Sequence, residues 1–217
     1  MEPRALLVFD TNILVDIWLG RDGNESVLLL QLAEQGAVDL VIPEYVLMEF
    51  RGTALRWLRV ERDKLNQQVR AIAKEWGRSE DLDEGADLIT AGCRRVDERL
   101  GALRDAVDEV SDRVRYVARV EQHTPDVHFR GDLRFLSGRP PDRPVDGIKD
   151  CRIYEAILDI AGADRGVERS KYIVTKDRDF DHAELTSELD GPGFTIRNDP
   201  GRLYGELRPP QPAAPAR

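Results

Sequence analysis

The chain has 217 residues, with 32 Lys and Arg against 41 Asp and Glu, a formal charge of −9. That balance excludes a protein that holds nucleic acid through bulk positive charge, because phosphate neutralisation needs cations in excess. The length suits one domain with an elaboration, and the 41% hydrophobic content is enough for a packed core. The 34% charged content exceeds the usual ~25% and points to long solvated helices.

Ala5 to Phe9 is a continuous apolar run ending at Asp10, the pattern of a strand buried on both faces. A helix is predicted around Val27 to Gln35, with Gly36 as its stop. Val38 to Ile42 reads as a second buried strand, and Pro43 opens the next helix. Strand–helix–strand–helix order implies an α/β domain with a mostly parallel sheet.

The pattern then changes. Leu55, Leu58, Arg62, Leu65, Val69, Ile72 and Trp76 step by 3 and 4, and so do Val96, Leu100, Leu103, Val107, Val110, Val114 and Val117. Two heptad stripes joined by a polar connection predict a long antiparallel helical hairpin inserted into the α/β domain. Two ordinary helices laid on the domain are the alternative. Residues 51–78 carry eight basic and three acidic side chains, and residues 80–112 carry four basic and eleven acidic ones. Cross-helix ion pairs and phosphate contacts are both open readings of that asymmetry.

His123 to Gly147 reads as a Pro- and Gly-rich loop. The α/β pattern resumes with a helix over Ile148 to Ala163 and strands at Tyr172–Val174 and Phe194–Ile196. The expected division is 1–50 with 121–207 as the core, 51–120 as the hairpin, and 208–217 as a disordered Pro/Ala tail. Cys93 and Cys151 are far apart and read as reduced thiols. No apolar stretch approaches the ~18–20 residues of a membrane helix, and the N-terminal apolar run is too short for a signal peptide. The expected location is therefore the cytoplasm, with no membrane partner.

Four acids stand out on this frame. Asp10 ends the first strand and Asp177 follows a later one, at the strand ends where open α/β sheets form their sites. Glu49 lies in the apolar setting of Leu47, Met48 and Phe50, and Asp150 lies in the first turn of its helix. Each has an ordinary reading: Asp10 as a cap, Glu49 as a helix acid, Asp150 as a complement to the helix dipole, Asp177 as a turn residue. Gathered in one crevice, they would repel unless a divalent cation offset them, and all-oxygen ligands suit Mg²⁺ or Mn²⁺.

These residues resemble a known family. Leu7-Val8-Phe9-Asp10-Thr11-Asn12-Ile13-Leu14 is similar to the opening motif of PIN-domain nucleases. Glu49 resembles their second acid, Asp150 their third, and Val174-Thr175-Lys176-Asp177-Arg178-Asp179-Phe180 their closing motif. The likeness covers roughly 5–50 and 146–199, and it is closer to larger bacterial PIN-like proteins with an inserted helical region than to the compact toxin type. It implies a three-layer α/β/α fold and metal-dependent hydrolysis of RNA phosphodiesters, less often DNA. One or two ions, Mg²⁺ or Mn²⁺, would be held by Asp10, Glu49, Asp150 and Asp177, with Asp179 and Asp146 as further ligands. Thr11, Asn12 and Thr175 would orient carboxylates or waters. Arg51, Arg56, Arg130 and Arg134 are the expected substrate contacts, and His123 and His128 read as ordinary loop histidines. Two alternatives stay open: a catalytically weak module that binds RNA or protein, such as the toxin of a toxin–antitoxin pair, and a phosphohydrolase with Asp10 as nucleophile. The hairpin is the expected surface for self-association or an antitoxin-like partner.

Overall fold

The computed structural model describes residues 3–20, 25–76, 82–141 and 147–208. Asp146 and the Pro/Ala tail from 209 onward lie outside the described residues. The chain divides into two compact units, one of residues 1–50 with 113–217 and the other of residues 51–112.

The first unit is built on β1 (Leu6–Phe9), β2 (Asp39–Pro43), β3 (Arg119–Glu121), β4 (Lys171–Val174) and β5 (Phe194–Arg197). Their order is β3-β2-β1-β4-β5, and every pairing is parallel. β1 occupies the middle, with all four side chains buried, as its unbroken apolar run predicts. Helices α1 (Thr11–Leu19), α2 (Glu25–Glu34), α5 (Pro125–Leu136), α6 (Gly147–Ala163), α7 (Ala183–Asp190) and α8 (Pro200–Leu207) flank the sheet. This is the expected α/β fold with a parallel centre. Gly20 ends α1 in the left-handed conformation at φ 57°, a position that favours glycine.

The second unit holds most of α3 (Glu44–Trp76) and α4 (Leu82–Val117). At ~1.5 Å per residue the 33-residue α3 is about 50 Å long. Arg51 pairs with Asp108 at 3.2 Å, while Leu55, Leu58 and Arg62 share a groove with Asp97, Leu100 and Arg104. The partners step in opposite directions, so the two helices run antiparallel. Ala54, Leu58, Val107, Val110 and Val114 are buried, while Leu55, Leu65, Val69, Val96, Leu100, Leu103 and Val117 are half-buried and Arg62 and Ile72 are exposed. No helix among the described residues is long and apolar enough to cross a membrane.

The segment 123–147 departs from expectation. It holds α5, whose N-cap Thr124 accepts from the Val127 N–H at 3.2 Å, with Pro125 in its first turn. The helix buries Val127, Gly131 and Arg134 and exposes Phe129, Leu133 and Leu136, so its inward face carries no apolar stripe to read. At Gly131 an added Cβ would stand 2.7 Å from the Arg152 Cα and 2.9 Å from its N. Glycine lets α5 lie directly on α6 there.

Arg134 is the polar centre of this layer. Its side chain is 2% exposed and meets Glu155 at 2.7 Å, Glu188 at 2.9 Å and the Pro140 carbonyl at 2.8 Å, with its guanidinium over the Tyr154 ring. A buried cation needs that many partners. Arg130 pairs with Asp126, with Glu155 at 3.1 Å and with Asp159 at 2.6 Å. The expectation that Arg130 and Arg134 contact substrate therefore meets two guanidiniums engaged within the fold, which tie α5 to α6 and α7.

Candidate metal centre at the carboxyl edge of the sheet

The chain runs from β1 outward to β2 and β3, then returns to place β4 on the other side of β1. The reversal lies between β1 and β4, where an open α/β sheet forms its crevice. Phe9 and Val174 are register partners, so Asp10 and Thr175 leave the two strands side by side. The Asp10 N–H continues the ladder to the Val174 carbonyl at 3.1 Å.

The Asp10 side chain is held on both oxygens. Oδ1 accepts the Thr11 N–H at 2.7 Å, which makes Asp10 the N-cap of α1. Oδ2 accepts the Asn12 amide at 2.7 Å and the Thr175 hydroxyl at 2.7 Å. The capping role and a place in the acidic cluster thus belong to the same carboxylate. The Thr175 hydroxyl also accepts the Asn12 amide and the Asp177 N–H, each at 3.0 Å. Asn12 Oδ1 accepts the Lys176 N–H at 3.0 Å. Six residues from the two strand ends, Asp10 to Asn12 and Thr175 to Asp177, thereby form one network.

Glu49 joins through Thr11, whose hydroxyl donates to Oε2 at 2.7 Å. Asp177 caps the short 3-10 turn Arg178–Phe180 through the Asp179 N–H at 3.0 Å. Asp10 is 6% exposed. Burial raises its pKa from 3.8 to about 6; hydrogen bonds from Thr175 and the Thr11 N–H pull it down, and the negative charges of Glu49 and Asp177 add to the rise. Asp10, Glu49 and Asp177 are therefore brought into one electrostatic group. Asp150 sits half-buried in the first turn of α6, a helix that leads back to the start of β4 and so begins at the same carboxyl edge. Arg51 and Arg56 are exposed on α3.

A hard divalent cation fits the donor chemistry: oxygen ligands, and one carboxylate whose ionisation is opposed by two negative neighbours. The acids are set wider than a finished shell, for no three His, Cys, Asp or Glu side chains among the described residues are grouped closely enough to hold an ion.

Two neighbouring features escaped the sequence reading. Asp16, buried on α1, pairs with Lys176 beside the cluster. An acid inside the apolar run Ile13 to Trp18 was the available signal. His123 and His128 form a fixed pair, Nε2 to Nδ1 at 3.2 Å, with Tyr45 against the His123 ring at 5.0 Å. Burial, with His128 and Arg152 nearby, pushes the His123 pKa down.

A solved structure of VapBC2 from Rickettsia felis, bound to a DNA fragment from the promoter, is similar over 88% of this chain and 98% of that chain, at 10% identity and a TM-score of 0.40. That likeness is too slight to bear on function. No curated protein matches the sequence. The PIN domain family model matches residues 7–180, from within β1 to the end of the closing motif. The match takes in Asp10, Glu49, Asp150 and Asp177 and spans most of the chain, so the protein belongs to the PIN-domain family, whose members are generally nucleases.

Proposed function

We propose that the protein is a divalent-metal-dependent ribonuclease. The observation that carries this reading is Asp10, buried at the carboxyl end of β1, with its pKa near 6 and the charges of Glu49 and Asp177 upon it. A carboxylate kept in that setting without a balancing cation costs stability, so its presence is explained by a ligand that offsets it.

Asp10, Glu49, Asp150 and Asp177 would hold Mg²⁺ or Mn²⁺, as one or two ions, with Asp179 and Asp146 as further ligands. When bound, such an ion supplies a water of lowered pKa and positive charge against the phosphate. The protein supplies orientation. Thr175 and Asn12 fix Asp10 Oδ2, and the Thr11 N–H fixes Oδ1. Thr11 fixes Glu49 Oε2, leaving Oε1 to accept a proton from the attacking water. Arg51 and Arg56 are proposed contacts for the RNA backbone. Self-association or an antitoxin-like partner at the hairpin is a further part of the proposal, read by light scattering.

The test is cleavage of 5′-labelled single-stranded RNA and DNA in Mg²⁺ or Mn²⁺. The wild-type protein should cut RNA in metal and not in EDTA, while Asp10→Asn and Glu49→Gln should lose activity and keep native circular dichroism. A protein that cuts neither polymer, and whose melting temperature Mn²⁺ does not move, removes the reading.

A further inference from the structure

A second cavity opens on the same edge of the sheet. It is an open hollow of about 410 Å³ lined by His123, Thr124, Pro125, His128, Phe129 and Asp132. His123 comes two residues after β3, which runs parallel to β2, so the cavity lies at the carboxyl edge. β3 stands two strands from β1, roughly 10 Å across the sheet, so the cavity and Asp10 share one edge.

Its walls are rings, and they are fixed. Tyr45 packs on His123 at 5.0 Å, and His123 packs edge-on against His128 at 5.4 Å. The Glu44 carboxylate accepts the His123 backbone N–H at 3.1 Å. Phe129 is 60% exposed, so its ring is open to a stacking partner. The one charged group in the lining is Asp132. Its Oδ1 accepts from Arg152 Nε at 2.7 Å, and its Oδ2 lies 3.6 Å from His128 Nε2, beyond a hydrogen bond. Arg152 also reaches the Tyr45 hydroxyl at 3.5 Å, so its charge is committed.

This lining does not suit an anion, since its one carboxylate, Asp132, already holds the Arg152 charge. It suits a flat, uncharged ring that stacks on Phe129 and donates N–H bonds to Asp132. We propose that the cavity is a nucleobase subsite of the RNA strand, selecting a base with adjacent N–H donors on its Watson–Crick edge, guanine foremost. The inference rests on the ribonuclease reading, because it places the base on the strand whose phosphate lies at Asp10. Phe129 supplies sequence-tolerant stacking, and Asp132 supplies the choice of base.

The experiment measures binding apart from cleavage. Anisotropy of fluorescein-labelled pentamers, all-uridine or with one central guanosine, is recorded with the full-length protein in EDTA. The guanosine pentamer should bind about ten-fold tighter to wild type. Phe129→Ala should weaken both by about ten-fold, on the scale of a lost base–aromatic stack, with the melting temperature unchanged because the ring is exposed. Asp132→Asn should erase the preference for guanosine. Equal affinity for the two pentamers, or unchanged affinity in Phe129→Ala, overturns the proposal. If Phe129→Ala instead changes the mass by light scattering and not RNA affinity, the face docks protein and the proposal also falls. A protein that binds with this pattern yet never cuts RNA refutes the ribonuclease reading and leaves the subsite standing. One that cuts RNA without this pattern does the reverse.

Discussion

The Thr175 hydroxyl donates to Asp10 Oδ2 at 2.7 Å, joining residues 165 positions apart at the ends of adjacent strands. That hydroxyl is fully used, since it also accepts from the Asn12 amide and the Asp177 N–H. Thr175→Val keeps the shape and removes all three bonds. We expect a stability loss of roughly 1–3 kcal/mol by denaturant titration, the cost of stranding buried polar partners. The Asp10 midpoint should rise further, and Thr175→Ser should restore both values.

Asp10 titrates near pH 6 in the folded protein against 3.8 for the ordinary group. Between those values the folded chain holds a proton that the unfolded chain has released. The stability contribution of Asp10 therefore falls as pH rises from about 4 to 6, and its full cost, about 3 kcal/mol, is present above that window. Carboxyl ¹³C NMR in EDTA should give a midpoint near 6. Saturating Mg²⁺ should lower it, and a midpoint unmoved by Mg²⁺ would count against a cation at Asp10.

The Asp164 site has the opposite sign. Burial alone would raise the Asp164 pKa, but hydrogen bonds from Arg169 and Lys171 hold it below the ordinary value. Its contribution is present at neutral pH and is lost as pH falls through that lowered pKa. Asp164→Asn should cost roughly 2–3 kcal/mol at pH 7, the scale of hydrogen bonds to a charged group. Its melting temperature should begin to approach that of wild type only below about pH 4 and meet it once pH has fallen through the lowered Asp164 pKa.

Gly131 is the contact point of α5 with α6. Gly131→Ala drives a methyl into the Arg152 backbone, which cannot turn aside as a side-chain end can. We expect a loss of about 1–3 kcal/mol, the range for overpacking, measured by thermal unfolding.

The arginines separate by burial. Arg134→Ala leaves Glu155 and Glu188 facing each other without their shared cation, and should cost about 3–5 kcal/mol. Arg56→Ala alters an exposed residue and should leave stability within about 0.5 kcal/mol. If Arg56 contacts RNA, its loss should instead flatten the salt dependence of binding.

Much of the first unit was legible because buried parallel strands write unbroken apolar runs. Leu6–Phe9 and Leu40–Ile42 needed nothing more. Asp10 was legible because it follows such a run directly, and Asp177 because it lies three residues past the end of another. α5 was missed for a physical reason: its buried face is Val127, Gly131 and Arg134, where close approach and an ion-pair centre replace apolar packing. Its start signal, Thr124-Pro125, was present and was outweighed by the prolines that follow. β3 was missed because three residues with one apolar side chain carry no period. The fate of Arg134 could not be read from sequence, for its partners lie 21 and 54 residues away.

The strand order bears on how such a protein is made. Asp10 and Glu49 leave the ribosome early, but Thr175 and Asp177 belong to the strand that closes β1 from its far side. A nascent or truncated chain that stops before β4 has the first acids and lacks the residues that orient them. The acidic cluster is thus withheld from incomplete translation products, and a fragment ending in α6 should be inert toward RNA and metal alike.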